Sequence, residues 1–100
     1  MEQRLKMWKV TNIVETCFAC PSQWEGKTED GHTIYIRYRW GHLSVRVSYS
    51  TSEDISDAVM GKEIISLSYG DGMSGVMSYE ELKYLCRDVL ELPDEVNYED

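Results

Sequence analysis

The sequence predicts an α+β domain: an antiparallel β-sheet of about four strands, with one main C-terminal amphipathic helix packed on its apolar face. Three observations indicate this fold class. The chain has 100 residues, which leaves room for a single hydrophobic core. Residues 33–49 alternate between apolar and polar side chains, as half-buried strands do. Apolar residues near the C-terminus recur with the spacing of one helical face: Leu82, Leu85, Cys86, Val89 and Leu90.

The first segment, residues 5–19, is rich in Val, Ile, Thr and aromatic side chains, which favours a β-strand that ends at Pro21. A helix is the alternative, because four apolar residues of this segment also fit one helical face. These four residues are Ile13, Val14, Cys17 and Phe18.

The segments QWEGKT and TIYIR flank residues 29–31, which predicts a β-hairpin with two possible registers. A two-residue turn would place Lys27 on the apolar face. A three-residue loop with Gly31 in the left-handed conformation would place Trp24 opposite Ile36 instead. We expect the second register, because it buries the tryptophan and leaves the lysine exposed.

A second hairpin joins residues 33–40 to residues 43–49. Glycine is favoured at the first central position of a type II′ turn, so we expect a two-residue turn at Gly41-His42. A slip of one residue would move the apolar side chains to the wrong face. The expected register matches apolar residues in four pairs: Trp40 with Leu43, Tyr38 with Val45, Ile36 with Val47, and Ile34 with Tyr49.

A short helix and a strand are expected after this hairpin. Thr51 or Ser52 can cap a helix over roughly residues 53–60, and Gly61 can close it. Residues 63–69, EIISLSY, then favour another strand.

The main helix is expected to begin at a capping box formed by Ser78 and Glu81. Pro93 ends it near position 91 or 92, because proline cannot continue a helix. We therefore expect one domain over residues 1–92, followed by an acidic tail over residues 93–100.

The predicted registers gather three arginines on the polar face of the sheet. Arg37 lies directly across from Arg46, Arg39 follows on the same strand, and Glu25 lies beside Tyr35. Like charges that face each other in a sheet repel. One interpretation is that nearby carboxylates such as Glu25 relieve this repulsion at a solvated surface. The other is that the arginines, flanked by Tyr35, bind an anion.

Two motifs resemble chemical signatures but lack the expected surroundings. Residues 70–75 have the spacing G-x-G-x-x-G, but the next helix is capped after this stretch. Cys17 and Cys20 form a C-x-x-C pair, whereas a structural zinc needs four ligands, and His32 and His42 are expected at opposite ends of the central strand. Neither histidine has an evident serine or cysteine partner. We therefore expect no metal, no cofactor and no enzymatic activity.

The net charge of −8 argues against direct binding to nucleic acid. No apolar run approaches the roughly 20 residues that span a bilayer, and the N-terminus lacks the apolar segment of a secretory signal. We therefore expect a cytoplasmic protein that contacts no membrane. Its expected partner is an anionic small molecule or another protein, and a homo-oligomer remains open.

Residues 19–47, ACPSQWEGKTEDGHTIYIRYRWGHLSVRV, resemble a signature of small bacterial proteins of unknown function. The resemblance lies in CPxQW, a central DG and an IRYRWG-like strand. Its most specific positions are Trp24, Arg37, Arg39 and Gly41. The resemblance covers under a third of the chain and implies no activity.

These observations together predict a small non-enzymatic binding protein that acts by occupancy. It would capture a nucleotide-like ligand or an acidic partner segment, as an inhibitor or sequestering factor. The alternative is an acidic inhibitor or immunity-type protein that docks on a basic surface of a partner enzyme. The expected ligand-binding residues are Tyr35, Arg37, Arg39, Arg46 and Glu25.

Overall fold

The computed structural model describes residues 7–19, 21–73 and 75–98. Within these ranges the chain forms a mixed sheet of seven strands and two short helices, so the α+β fold class is confirmed. The prediction of about four strands and one main C-terminal helix is wrong. The strands are β1 Trp8–Cys17, β2 Ser22–Thr28, β3 Thr33–Arg39, β4 His42–Val47, β5 Lys62–Ser68, β6 Leu90–Glu91 and β7 Asn97–Tyr98, and the helices are α1 Ile55–Val59 and α2 Tyr79–Cys86.

The sheet has the strand order β5-β4-β3-β2-β1-β6, and β7 also pairs with β1. Strands β1 to β5 pair antiparallel, whereas β6 and β7 run parallel to β1. Trp8 pairs with Leu90 and Val14 pairs with Asn97, so both short strands lie along one edge of β1. A two-residue strand carries no periodic pattern, which is why the sequence does not indicate β6 and β7.

The strands expected at 5–19 and 63–69 are both present, as β1 and β5. Residues 5 and 6 lie outside the described ranges. Strand, rather than helix, is therefore the correct interpretation of the first segment.

Helix α2 begins as predicted and ends earlier. Ser78 Oγ accepts a hydrogen bond from Glu81 N at 3.1 Å, and a Glu81 carboxylate oxygen accepts one from Ser78 N at 3.0 Å. The helix ends at Cys86, so the longer predicted helix is wrong. Trp8 N donates to Val89 O at 2.8 Å, so hydrogen bonds to the sheet replace the helical ones beyond Cys86. In the described ranges, no helix is long and apolar enough to cross a membrane.

The hydrophobic core lies between the apolar face of the sheet and α2. Trp24 and Tyr38 are the largest fully buried side chains, and α2 contributes Leu82 and Cys86. Burial of a large apolar side chain stabilises a fold by about 1.5–3 kcal/mol, so this face dominates the stability. The sheet contributes Val10, Ile13, Trp24, Ile34, Ile36, Tyr38, Leu43, Val45 and Leu90 to the core, and Met77, Leu82 and Cys86 complete it.

The β2–β3 hairpin has the predicted register. Trp24 pairs with Ile36, and Glu25 pairs with Tyr35. Gly31 has a φ of +88°, the left-handed conformation that the three-residue loop requires. The burial of the Trp24 side chain therefore distinguished correctly between the two registers.

The β3–β4 turn lies at Trp40-Gly41, so the turn predicted at Gly41-His42 is wrong. The φ values of Trp40 and Gly41 are +57° and +67°, and positive φ at both central residues is typical of a type I′ turn. A register shift of two residues leaves every side chain on its face, so the alternation of the sequence does not distinguish the two turns. The observed apolar pairs are Ile34 with Val47, Ile36 with Val45, and Tyr38 with Leu43.

The observed register leaves two large aromatic side chains outside the paired strands, with Trp40 in the turn and Tyr49 beyond the end of β4. Trp40 is 59% exposed and Tyr49 is 76% exposed, whereas both were expected on the apolar face. The shift also changes the arginine pairing. Arg37 lies across from Ser44, so the prediction that it lies directly across from Arg46 is wrong.

Helix α1 is capped by Asp54 rather than by Thr51 or Ser52. The Asp54 side chain accepts a hydrogen bond from Ser56 N at 3.0 Å, and this bond holds the pKa of the Asp54 carboxyl below its usual value. The cap lies two residues after Ser52 and three after Thr51, so α1 begins only at Ile55, and it ends at Val59.

Residues 93–98, expected as part of an acidic tail, lie against the rest of the fold. Tyr79 Oη donates to Pro93 O at 2.6 Å, and Val96 packs against the core. Strand β7 then pairs with β1. The acidic segment is therefore held on the sheet as far as residue 98.

Candidate functional site

The polar face is the side of the sheet opposite the core. Strand β3 contributes Tyr35, Arg37 and Arg39 to it, while β2 and β4 contribute Glu25 and Arg46. All five predicted site residues therefore lie on one face. They do not form one site, because the chain covers one end of this face and leaves the other end open.

The closed end is the part of the polar face that lies under residues 52–61, which include α1. Ser52 O accepts hydrogen bonds from Lys27 Nζ at 3.1 Å and from Thr33 Oγ1 at 2.6 Å. Lys27 Nζ also lies 2.6 Å from a carboxylate oxygen of Glu53. The polar groups of the sheet at this end are thus bound by the segment above them.

Arg46 belongs to the closed end. Its Nη1 donates to Gly61 O at 3.3 Å, and its Nη2 lies 3.8 Å from a Glu63 carboxylate oxygen. The same oxygen accepts a hydrogen bond from Ser44 Oγ at 2.8 Å. Arg46 is therefore bound by groups of the fold itself. For this arginine the structure agrees with the first interpretation, in which nearby carboxylates relieve the repulsion between the arginines.

The arginine groove is the open end of the polar face, beside the β3–β4 turn. This groove has a volume of about 230 Å³. The alternation of β3 places its two arginines on the same face, about 6.6 Å apart along the strand at roughly 3.3 Å per residue. The lining residues are Arg37, Arg39, Trp40, His42 and Ser44.

Arg37 and Arg39 form no ion pair within 4.0 Å among the residues that the structure describes. Across the strand they face Ser44 and His42 rather than a carboxylate. Two cations at this spacing repel, at a cost of a few tenths of a kcal/mol when water screens them. An anion between them would remove this repulsion and gain hydrogen bonds to charged groups worth about 1.5–3 kcal/mol each.

The β3–β4 turn borders the groove through Trp40, and the loop that follows β5 contacts this turn. The guanidinium carbon of Arg39 lies 5.0 Å from the centre of the Trp40 ring, a cation–π contact. Tyr69 N donates to Gly41 O at 2.8 Å, and Asp71 O lies so close that a Cβ at Gly41 would be 2.1 Å from it. Backbone contacts therefore hold the turn in place.

Tyr35 lies between the two ends of the polar face. Its hydroxyl donates to Gln23 Oε1 at 2.9 Å, and Gln23 pairs with Arg37, so Tyr35 is held on the β2 side of Arg37 and does not line the groove. Burial raises the pKa of Tyr35, the Arg37 charge lowers it, and Glu25 raises it. Glu25 itself lines a recess beneath α1 rather than the arginine groove. Of the five predicted site residues, the groove brings together only Arg37 and Arg39.

His42 has a serine partner that the sequence does not indicate. Ser66 Oγ lies 3.0 Å from His42 Nε2, across the β4–β5 pair. Among the described residues, no hydrogen bond orients His42 Nδ1, and a triad would need that third group. His32 is remote from this pair, with its Nδ1 2.8 Å from Ser48 O.

The other two motifs form no recognisable centre in the described ranges. Cys20 lies outside those ranges, and burial in the core raises the pKa of the Cys86 thiol to about 12. Where the chain is described, no group of three or more His, Cys, Asp or Glu side chains is placed to hold a metal. The glycine-rich stretch precedes the cap at Ser78, so it does not open α2.

Three residues of the groove are not among the predicted site residues: Trp40, His42 and Ser44. Ser44 alternates with buried Leu43 on β4 and was already expected on the polar face, whereas His42 was expected in the turn and is instead the first residue of β4. Trp40 was assigned to the apolar face, and only its turn position brings it to the groove.

Comparison with known proteins provides no identification of this chain. No protein-family model, no curated protein and no solved structure matches it. Its function is therefore inferred from the geometry and charge of the polar face.

Proposed function

We propose that this protein binds a small anionic group in the arginine groove and acts by occupancy, without turning the ligand over. The observation that supports this proposal is the pair Arg37 and Arg39, which share one strand face and have no ion pair among the described residues. The chain contains 18 acidic residues, so carboxylates are abundant. They pair with cations at the closed end and leave these two arginines available.

Phosphate and carboxylate are the groups that suit the groove, because a guanidinium binds either one through two parallel hydrogen bonds. Such a group can belong to a small molecule or to an acidic segment of a protein partner. The net charge of −8 disfavours long polyanions, which would meet repulsion beyond the groove.

Isothermal titration with sodium tripolyphosphate, in buffer without divalent cations, tests this proposal. The unmodified chain should bind the anion, and Arg39→Gln or Arg37→Gln should weaken binding by about 10- to 100-fold through loss of a charged hydrogen bond. The control is Arg46→Gln, which removes the same charge from the closed end. Binding by this control should weaken much less than in either groove variant, because Arg46 does not line the groove and its charge is partly neutralised by Glu63.

Two results would contradict the proposal. One is the absence of saturable binding by the unmodified chain. The other is an equal loss of affinity in Arg39→Gln and Arg46→Gln, which would indicate a response to overall charge rather than a site.

A second candidate function is docking on a basic surface of a partner protein. It is favoured by an acidic groove of about 410 Å³ that Glu80, Asp94 and Glu95 line together with Tyr79 and Tyr98. Glu80→Gln with Glu95→Gln would weaken such docking, since complementary charge steers association. The same pair of changes would leave tripolyphosphate binding in place, so the two candidate functions are separable.

A further inference from the structure

Trp40 occupies a backbone conformation that a large side chain rarely adopts. Its φ is +57°, and no other non-glycine residue in the described ranges has a positive φ. The first central position of a type I′ turn favours Asn, Asp or Gly, because these residues tolerate the left-handed region. A bulky residue in this region is a conformational outlier that lowers stability.

Burial does not repay this conformational cost. The Trp40 side chain is 59% exposed, whereas Tyr38, two residues earlier in the chain, is 1% exposed. The cation–π contact with Arg39 is a partial gain of about 0.5–1 kcal/mol at an exposed site. Folding alone therefore gives no reason for tryptophan at this position.

The position of the ring suggests a different reason. Trp40 lines the arginine groove, and the guanidinium of Arg39 lies 5.0 Å from its ring centre. The groove volume of about 230 Å³ is below the range of enclosed ligand pockets, roughly 300–1,000 Å³. A ligand larger than a single anionic group would therefore not fit entirely inside the groove. Its anionic part would lie between the arginines, and the rest would extend along the exposed ring.

We propose that Trp40 is a stacking platform and that the ligand is a nucleoside phosphate: its phosphates lie against Arg37 and Arg39, and its base stacks on the indole. This inference rests on the proposed function and adds the chemical class of the ligand. The carboxylate side chains of an acidic peptide could pair with the arginines, but they carry no ring that could stack on the indole of Trp40. Stacking of a base on an aromatic side chain does not require base-specific hydrogen bonds, so the four common bases should all be accepted.

The test compares ATP with tripolyphosphate in the absence of divalent cations, with both affinities measured by isothermal titration on the full chain. ATP should bind about 5- to 100-fold more tightly than tripolyphosphate, as base–aromatic stacking predicts. In Trp40→Asn the two ligands should bind with about equal affinity, because the stacking is lost while the chain still binds tripolyphosphate. Thermal melting of Trp40→Asn should show a Tm no lower than that of the unmodified chain, because Asn suits the turn.

The matched control is Tyr49→Asn, which removes another exposed aromatic ring that lies outside the groove. It should retain the preference for ATP. Equal affinity of the unmodified chain for ATP and tripolyphosphate would overturn the nucleoside inference and leave the anion site intact. No binding of either ligand would overturn both proposals. A preference for ATP that survives in Trp40→Asn would also overturn the stacking role.

Discussion

The two ends of the polar face use the same residue type in opposite ways. At the closed end, Arg46 is bound to Gly61 O and Glu63 beneath residues 52–61. At the open end, Arg37 and Arg39 face a groove and have no ion pair in the described part of the chain. The difference shows that the path of the chain over this sheet decides which arginines form hydrogen bonds and ion pairs within the described part of the fold.

The two ends also differ in their expected energetics. Hydrogen bonds and ion pairs at the closed end each contribute about 0.5–1.5 kcal/mol at most, because they are partly exposed. At the open end, the neighbouring cations and the left-handed Trp40 lower stability. Features that cost stability without a structural return are expected at functional sites.

The largest effect is expected from Gly41→Ala, which disrupts the β3–β4 turn at the open end. At Gly41 the φ of +67° is a conformation that strains any residue with a side chain, and Asp71 O leaves no room for a Cβ. The free energy of unfolding should therefore fall by at least about 2 kcal/mol. Urea denaturation measures this change. The control is Gly72→Ala, where a Cβ would meet nothing within 4 Å. An equal loss in both variants would show that the contact between turn and loop is unimportant.

The next largest effect is a difference in protein stability between Arg46→Gln and Arg37→Gln. Arg46→Gln should lower the free energy of unfolding by about 1 kcal/mol, because the bond to Gly61 O and the pair with Glu63 are lost. Arg37→Gln removes the same charge at the open end and should cause no loss. Thermal melting and urea denaturation at one salt concentration compare the two variants. If both lost the same stability, the division into a closed and an open end would be wrong.

Trp40→Asn should change stability in the opposite direction. Relief of the strained conformation outweighs the lost contact with Arg39, so the free energy of unfolding should rise by about 0.5 kcal/mol. Urea denaturation resolves this gain when several repeats are averaged. A clear loss of stability would mean that the Trp40 side chain supports the fold.

The smallest effect concerns Tyr35, which lies between the two ends. Its pKa is raised by burial and lowered by the Arg37 cation, which favours the charged tyrosinate. Arg37→Gln should therefore raise the pKa of Tyr35 further, as should an anion bound at Arg37. Arg46→Gln should raise it less, because Arg46 lies across from Tyr35 but is paired with Glu63. A pH titration of ¹³C-labelled tyrosine by NMR follows this residue, and a larger shift in Arg46→Gln than in Arg37→Gln would contradict the assignment.

The fold was predictable wherever a one-residue error moves a side chain to the wrong face. The β2–β3 register illustrates this, because the alternative would have exposed Trp24 and buried Lys27. The β3–β4 register was not predictable from alternation, since a shift of two residues preserves both faces. Two-residue strands such as β6 leave no pattern in the sequence.

The site was predictable only in part for related reasons. Alternation along β3 places Arg37 and Arg39 on the polar face in either register, so both were identified. The separation of Arg46 from them depends on backbone carbonyls such as Gly61 O, which no side-chain pattern reveals. Trp40 was missed because its left-handed conformation is unusual for a tryptophan.

The most direct test of the central claim is a tripolyphosphate titration of the ¹⁵N-labelled chain followed by NMR. An anion held by Arg37 and Arg39 predicts saturable shifts in the backbone amides of residues 37–44 and in both arginine side chains. The amides of Lys27, Thr33 and Arg46 at the closed end should not move. Shifts centred on the closed end, or shifts that never saturate, would contradict the account.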